Sequence, residues 1–400
     1  MSAARRHVVE LDVLRGIAAL LMIVNHGGYR LLSTSDATTG FAGALVFVGS
    51  FAPVVFFFAT GFGVALGVNA TGRAPAFAST LFKAGLLVVA DQMLFWRAGS
   101  PWGVNFLGFI GLSSLLVSAL ARFRAAVPIC LVAILGLLAL RYGIGPRSAH
   151  LAAPGSWLGW LFGVHDMNDM PYPPAPWLVY PLAGFVLGRL YGPVRLDHPT
   201  PRNRWWTTAI AAAVGLSVGA AGLAAAGAVF FRWGTVSVAY FVLSLGVLAL
   251  AGAVSMMSAA AAPRLAARLA LPGVASFAVI PLHYAALEIA AVAVDAPITP
   301  PVFLVAIGLI GVACFWASAR FSGGMSAWLA GSRASAASLA LASMVLLSIG
   351  VLLGPGTASP PVAWAAMVVG QLAVAGLLAA RSRRGAAGQR PVNSLSGLRP

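Results

Sequence analysis

Arg15 and His26 are the residues from which a chemistry can first be read. Both belong to the apolar stretch Leu11–Gly27, LDVLRGIAALLMIVNHG, which also holds Asp12 and Asn25. A charged or imidazole side chain in a membrane-spanning helix is costly in hydrocarbon, so it is kept where it faces protein or water. The step from Arg15 to His26 is about three helical turns, which leaves both side chains within about 20° of one face and roughly 16 Å apart along the axis. One helix face thus offers a fixed cation near one membrane surface and a titratable imidazole deeper in. An imidazole at such a depth can act as a base or as a nucleophile.

Three further titratable groups fall at similar depth. Asp91 is expected level with His26, and His283 and Glu288 are expected roughly 16 and 24 Å from the inner edge of their own helix. His26, Asp91, His283 and Glu288 form the expected catalytic set. The natural partner of His26 is a carboxylate, Asp91 or Glu288, which would fix its tautomer and leave the other ring nitrogen as base. Bland readings stand beside these. His283 can be a packed histidine satisfied by a carbonyl near the kink at Pro281, Glu288 can pair with His283, and Asp91 can pair with Arg97. Lys83, the only lysine among 25 basic residues, is expected near the cytoplasmic end of its helix at a level similar to Arg15. The two either snorkel to lipid phosphates or clamp the phosphates of a cofactor entering from the cytoplasm.

Asp12, Arg15-Gly16 and His26, as LDxLRG with Arg-x10-His, resemble the first-helix motif of membrane-embedded acyltransferase family 3. Val104–Ala119 (VNFLGFIGLSSLLVSA) and Pro176–Arg189 (PWLVYPLAGFVLGR) resemble the bacterial relatives of heparan-alpha-glucosaminide N-acetyltransferase. The FFFATG segment is similar to the FF-x-x-SG stretch of family 3, with Thr60 in place of the usual serine. These resemblances imply a membrane acyltransferase that takes an acyl group from acyl-CoA, most simply acetyl-CoA, to a hydroxyl or amine of a carbohydrate or other cell-envelope acceptor. They place Arg15 and Lys83 at the donor and His26 at the chemistry. Family 3 members have ten core helices. Heparan-type enzymes carry their active histidine in the loop after the first helix, whereas this sequence has no histidine between His26 and His150. His26 therefore corresponds to the family 3 residue, or the chemistry lies elsewhere.

The elements that must position these groups are transmembrane helices. The sequence is 60% hydrophobic and 8% charged, far from the balance of a soluble domain. Apolar runs of spanning length predict an all-α bundle of twelve helices, roughly at 13–32, 41–67, 78–96, 103–121, 126–142, 175–192, 206–230, 236–257, 272–294, 299–321, 336–354 and 361–380. Residues 1–322 read as an acyltransferase-like core, 323–380 as an added helix pair without catalytic importance, and 381–400 as a basic, disordered tail. The first run is broken by Arg15 and His26 and has no cleavage site after it, so it does not read as a signal peptide.

The net charge of +16 belongs to membrane orientation and not to nucleic acid. With the N-terminus in the cytoplasm, eighteen arginines outside the spans fall on the cytoplasmic side and five on the other, namely Arg30, Arg97, Arg141, Arg147 and Arg232. That is the positive-inside pattern. It predicts an integral protein of the bacterial cytoplasmic membrane with both termini cytoplasmic.

The long loop 143–174 then faces outside. Its Trp157, Trp160, Asp166 and Asp169 suit a sugar, by stacking and by hydrogen bonding, although aromatic residues also gather at membrane interfaces. Cys130 and Cys314 read as small hydrophobes, and no metal is expected. A secondary transporter or flippase is the alternative from another class. Against it stands the lack of a visible repeat with paired broken helices.

Overall fold

Hydrocarbon leaves no water to satisfy backbone N–H and C=O groups, so apolar runs fold as helices. The computed structural model describes residues 8–97, 103–144, 156–163, 171–197, 202–225, 236–271, 274–294, 297–321, 324, 328, 333–352 and 360–387. Every regular element among them is helical. The long helices are α1 (Val9–Leu31), α2 (Gly40–Gly49), α3 (Ala52–Thr71), α4 (Arg73–Arg97), α5 (Phe106–Leu120) and α6 (Ala126–Leu138), the last ending in a π turn, Ala139–Ile144. There follow α7 (Val179–Asp197), α8 (Arg202–Ala225), α9 (Val238–Ala261), the short α10 (Pro263–Leu269), α11 (Val274–Ala293), α12 (Pro300–Arg320), α13 (Arg333–Leu352) and α14 (Pro360–Ala387).

Each of the twelve expected runs coincides with one of these helices, the second being divided between α2 and α3 at Ser50–Phe51. Among the described residues, eight helical stretches are long and apolar enough to cross a membrane. The protein is an all-α membrane bundle. α14 continues through Ala387, so the helix runs on into the stretch read as a tail, and residues 388–400 lie outside the described residues.

The bundle is organised around α1, which packs against α2, α3, α9, α10, α11 and α12. Val13, Ala18, Ala19 and Ile23 are all at 0% exposure, as expected of a helix buried on every side. Close neighbours need small residues on it. A Cβ at Gly16 would lie 1.7 Å from the carbonyl oxygen of Leu269, at the end of α10, and one at Gly28 would lie 2.1 Å from Val46 on α2. The backbone N–H of Leu271 donates to the carbonyl of Asp12 over 3.0 Å, which ties the end of α10 to the start of α1.

α3 and α7 meet through glycine as well. A Cβ at Gly184 would lie 2.0 Å from the carbonyl oxygen of Phe58, and Gly188 is similarly crowded by Ala65 and Phe62. Gly67 of α3, by contrast, faces open space.

α5 explains the position of Asp91. At 15 residues it is about 22 Å long, short of the roughly 30 Å hydrocarbon core. Its first N–H groups have no intrahelical partners. Asp91 Oδ2 accepts from the N–H of Asn105 (2.6 Å) and Oδ1 from that of Leu107 (3.1 Å). A Cβ at Gly108 would lie 2.5 Å from that carboxylate. Asp91 is thus the buried cap of α5 and not the ion-pair partner of Arg97, which lies over the Trp364 ring at 4.0 Å.

Candidate active site

The C-terminal half of α1 opens on a cavity of about 550 Å³. Its walls come from α1 (Met22, Asn25, His26, Tyr29), the α2–α3 corner (Gly49, Ser50), α4 and α5 (Asp91, Asn105), the segment before α7 (Pro171, Tyr172), α11 (Tyr284) and α14 (Gln371). Tyr29 is 60% exposed and Gln371 is 2% exposed. The cavity is therefore entered at the end where α1 finishes and floored inside the bundle.

His26 Nδ1 and His283 Nε2 are 2.9 Å apart, joining α1 to α11. His283 Nδ1 is 3.2 Å from the carbonyl oxygen of Val279. A carbonyl only accepts, so His283 Nδ1 carries a proton and donates it there. In the neutral ring Nε2 is then a lone pair, and His26 Nδ1 must donate to it. His26 Nε2 is left as a lone pair, with no hydrogen-bond partner among the described residues. Tyr284 stacks on both imidazoles, at 4.2 Å from His283 and 5.2 Å from His26 between ring centroids. Trp364 of α14 backs Tyr284 at 5.7 Å. A proton taken on His26 Nε2 can be shared through Nδ1 with His283, so the pair spreads one positive charge over two rings without a carboxylate.

This corrects the expected partner of His26. Asp91 lines the same cavity, but its oxygens are engaged with α5. Glu288 belongs elsewhere, forming a two-pronged ion pair with Arg30 (3.1 and 2.9 Å) near the C-terminal ends of α11 and α1. Arg30 competes for Glu288 because it lies one turn beyond His26 on the same face of α1.

Three amides complete the cavity. Asn25 Nδ2 donates to Val46 O over 2.9 Å and Gln371 Nε2 to Ala90 O over 3.0 Å. Asn105 Oδ1 accepts from the N–H of Phe106 over 2.7 Å. Each amide is therefore held in one orientation. α14, one of the pair read as an addition, supplies Gln371 to the cavity wall and the Trp364 support behind Tyr284. Gln371 interrupts the apolar run VAWAAMVVGQLAVAG, and a lone amide in such a run is the signal by which it can be found.

Near the N-terminus of α1, Arg15 Nη1 donates to Asp12 Oδ1 over 2.8 Å, with side-chain exposures of 23% and 4%. Its guanidinium passes beside Gly63, where a Cβ would lie 3.2 Å from Nη2. Lys83 is on an exposed face of α4, and α4 begins at Arg73 and not at Ala78, so Lys83 is a further turn from its helix start. The structure does not gather the two cations in one cavity. In the long loop, Trp157 is 68% exposed and Trp160 has a buried Nε1 without a partner. Neither lines the cavity, which takes Pro171 and Tyr172 from this part of the chain. Asp166 and Asp169 lie outside the described residues. Among the described residues, no group of three or more potential metal ligands is assembled.

The family model described as heparan-alpha-glucosaminide N-acetyltransferase, catalytic, matches residues 7–215, just over half of the 400-residue chain. The chain belongs to this family. Of the two resemblances drawn from the sequence, the match thus falls on the heparan type. Neither the curated proteins nor the solved structures contain a match to the chain. As a heparan-alpha-glucosaminide N-acetyltransferase family member, the chain is an integral-membrane protein of an acetyltransferase class. The matched stretch contains His26, Asp91, Asn105 and Tyr172, whereas Tyr284 and Gln371 reach the same cavity from beyond it, and His283, also beyond it, backs His26 from behind the wall.

Proposed function

We propose that the protein transfers an acetyl or other short acyl group from acyl-CoA to a hydroxyl or amine of a carbohydrate-like acceptor, with His26 as general base. The observation that carries this reading is the 2.9 Å His26–His283 contact on the wall of an open cavity, in a chain of an acetyltransferase family. His26 Nε2 takes the proton of the acceptor's O–H or N–H as its heteroatom attacks the thioester carbon. The carbonyl becomes an oxyanion. As the tetrahedral species collapses, the C–S bond breaks and the proton on Nε2 passes to the leaving thiolate of CoA. His283 is a positioning residue in this scheme: it holds the His26 tautomer and shares the charge between the two steps.

Acyl-CoA enters from the cytoplasm, with both termini on that side. Arg15 has spent one N–H on Asp12, and its remaining donors can meet a CoA phosphate, about 16 Å below His26 along α1. Lys83 contributes at most a peripheral contact from its exposed face. The acceptor enters at the Tyr29 end.

The test uses purified protein in liposomes with acetyl-CoA and glucosamine. Release of free CoA matched by N- or O-acetylated sugar supports the reading. Sugar flux across the membrane without CoA release supports a transporter instead. Orientation is tested by cysteines introduced at Ser156 and Ser394, of which only the first should label from outside intact cells.

A further inference from the structure

Asn105 offers the cavity a group that the base chemistry does not use. It is the residue just before α5, and three of its polar groups can be accounted for separately. Its backbone N–H is held by Asp91 Oδ2 at 2.6 Å, and its Oδ1 accepts the N–H of Phe106 at 2.7 Å. A backbone N–H can only donate, so the atom facing Phe106 must be the oxygen, and the orientation of the amide follows from chemistry. The side-chain Nδ2 is then the end left over. Asn105 lines the cavity together with His26, and no described protein group hydrogen-bonds its Nδ2.

One bond therefore holds this side chain and a second holds the backbone that carries it, while its donor stays unengaged. A donor that is oriented before substrate arrives is what a developing oxyanion needs. The other donors on the wall differ: the hydroxyls of Tyr29 and Tyr284 rotate, and the NH2 groups of Asn25 and Gln371 each already give one hydrogen to a carbonyl, Val46 O and Ala90 O, whereas both hydrogens of Asn105 Nδ2 are uncommitted among the described residues.

We propose that Asn105 Nδ2 is the oxyanion donor of the acyl transfer, holding the thioester carbonyl oxygen as it becomes negative while His26 Nε2 takes the acceptor's proton. This rests on the cavity being the acyl-transfer site. The electron pair of the C=O bond moves onto the oxygen facing Nδ2 and returns when the C–S bond to CoA breaks, so Asn105 exchanges no proton. Its role is catalytic by contact and complements the base.

The discriminating variants are Asn105→Asp and Asn105→Ser. Both aspartate and serine cap helices as well as asparagine does, so α5 keeps its start while the amide donor is lost. With acetyl-CoA and glucosamine, kcat should fall about 10²- to 10³-fold, with the melting temperature and the acetyl-CoA dissociation constant near those of the wild type. A merely structural Asn105 would tolerate the cap-preserving variants with kcat unchanged, and that result overturns the proposal.

An infrared measurement separates this from the fate of the transferase reading. Acetyl-CoA labelled with 13C at the carbonyl, bound to the inactive His26→Gln protein, should show its C=O stretch shifted to lower frequency. The shift should vanish in His26→Gln/Asn105→Asp. A shift that depends on Asn105, in a wild type that fails to transfer to sugar, keeps the donor and sinks the acceptor reading. A bound thioester with an unshifted carbonyl overturns the donor.

Discussion

The two ends of α1 treat their polar residues in opposite ways. At the N-terminal end Arg15 is paired with Asp12 and keeps 23% of its side chain exposed, and Gly16 brings the backbone of Leu269 into contact. At the C-terminal end His26, Asn25 and Tyr29 line a cavity, and the nearest partner of His26 is a second imidazole and not a charge. A paired charge in a packed setting holds an element or a polyanion in place. A neutral imidazole facing space is available to take a proton. Under the proposed function the difference puts binding at one end of the helix and chemistry at the other, and substitutions at the two ends should separate in kinetics.

The largest effect is expected from His26→Gln. It should lower the transfer rate by about 10²- to 10⁴-fold, the range for removing a general base, while the acetyl-CoA dissociation constant is kept. Equal losses in rate and affinity would erase the contrast between the ends. His283→Leu comes next, because it removes the acceptor for His26 Nδ1–H and leaves the tautomer unfixed. A fall in kcat of about tenfold to a hundredfold is expected, on the scale of a lost hydrogen bond to a charged group. His283→Gln should recover part of it, since an amide oxygen accepts the same proton. Initial rates at saturating acetyl-CoA decide this, and identical losses in the two variants would make His283 a packing residue.

Much of this architecture is legible in sequence because it is local. Twelve apolar runs fold as helices since each is long enough to satisfy its own backbone. The shared face of Arg15 and His26 follows from helical repeat alone. Pairings across the chain are not local. The contact between His26 and His283 spans 257 positions. Depth along the helices does bring His283, Glu288 and Asp91 near His26, yet it cannot say that Arg30 captures Glu288 or that α5 begins inside the bundle and claims Asp91. The aromatic loop reads as a sugar platform by composition, whereas among its described residues it is Pro171 and Tyr172 that reach the cavity. Gln371 is not singled out by sequence because α14 reads as an appendage, and its packing on α4 and α11 is a tertiary fact.

Arg15→Ala addresses the other end of the comparison and should be smaller in effect on turnover. Loss of one charge-assisted contact to a CoA phosphate should weaken acetyl-CoA binding by about 1.5 kcal/mol, roughly tenfold, with kcat at saturation near wild type. Calorimetric titration of the folded variant checks it, and unchanged affinity would leave Arg15 as only the partner of Asp12. Glu288→Gln gives the smallest change. Its ion pair with Arg30 is exposed at 30% and 45%, and such pairs contribute about 0–1 kcal/mol. A melting temperature and turnover close to wild type are expected. A large loss of transfer would move Glu288 back to His26 and undo the assignment of the imidazole pair.

The account stands or falls on where the acyl group lies. An experimental structure of His26→Gln with acetyl-CoA bound measures it directly. The predicted result has the CoA phosphates at the inner end of α1 near Arg15 and the thioester carbonyl in the outer cavity, within hydrogen-bond reach of Asn105 Nδ2 and facing residue 26. An acetyl group bound outside the cavity lined by residues 26, 105 and 284 would contradict it.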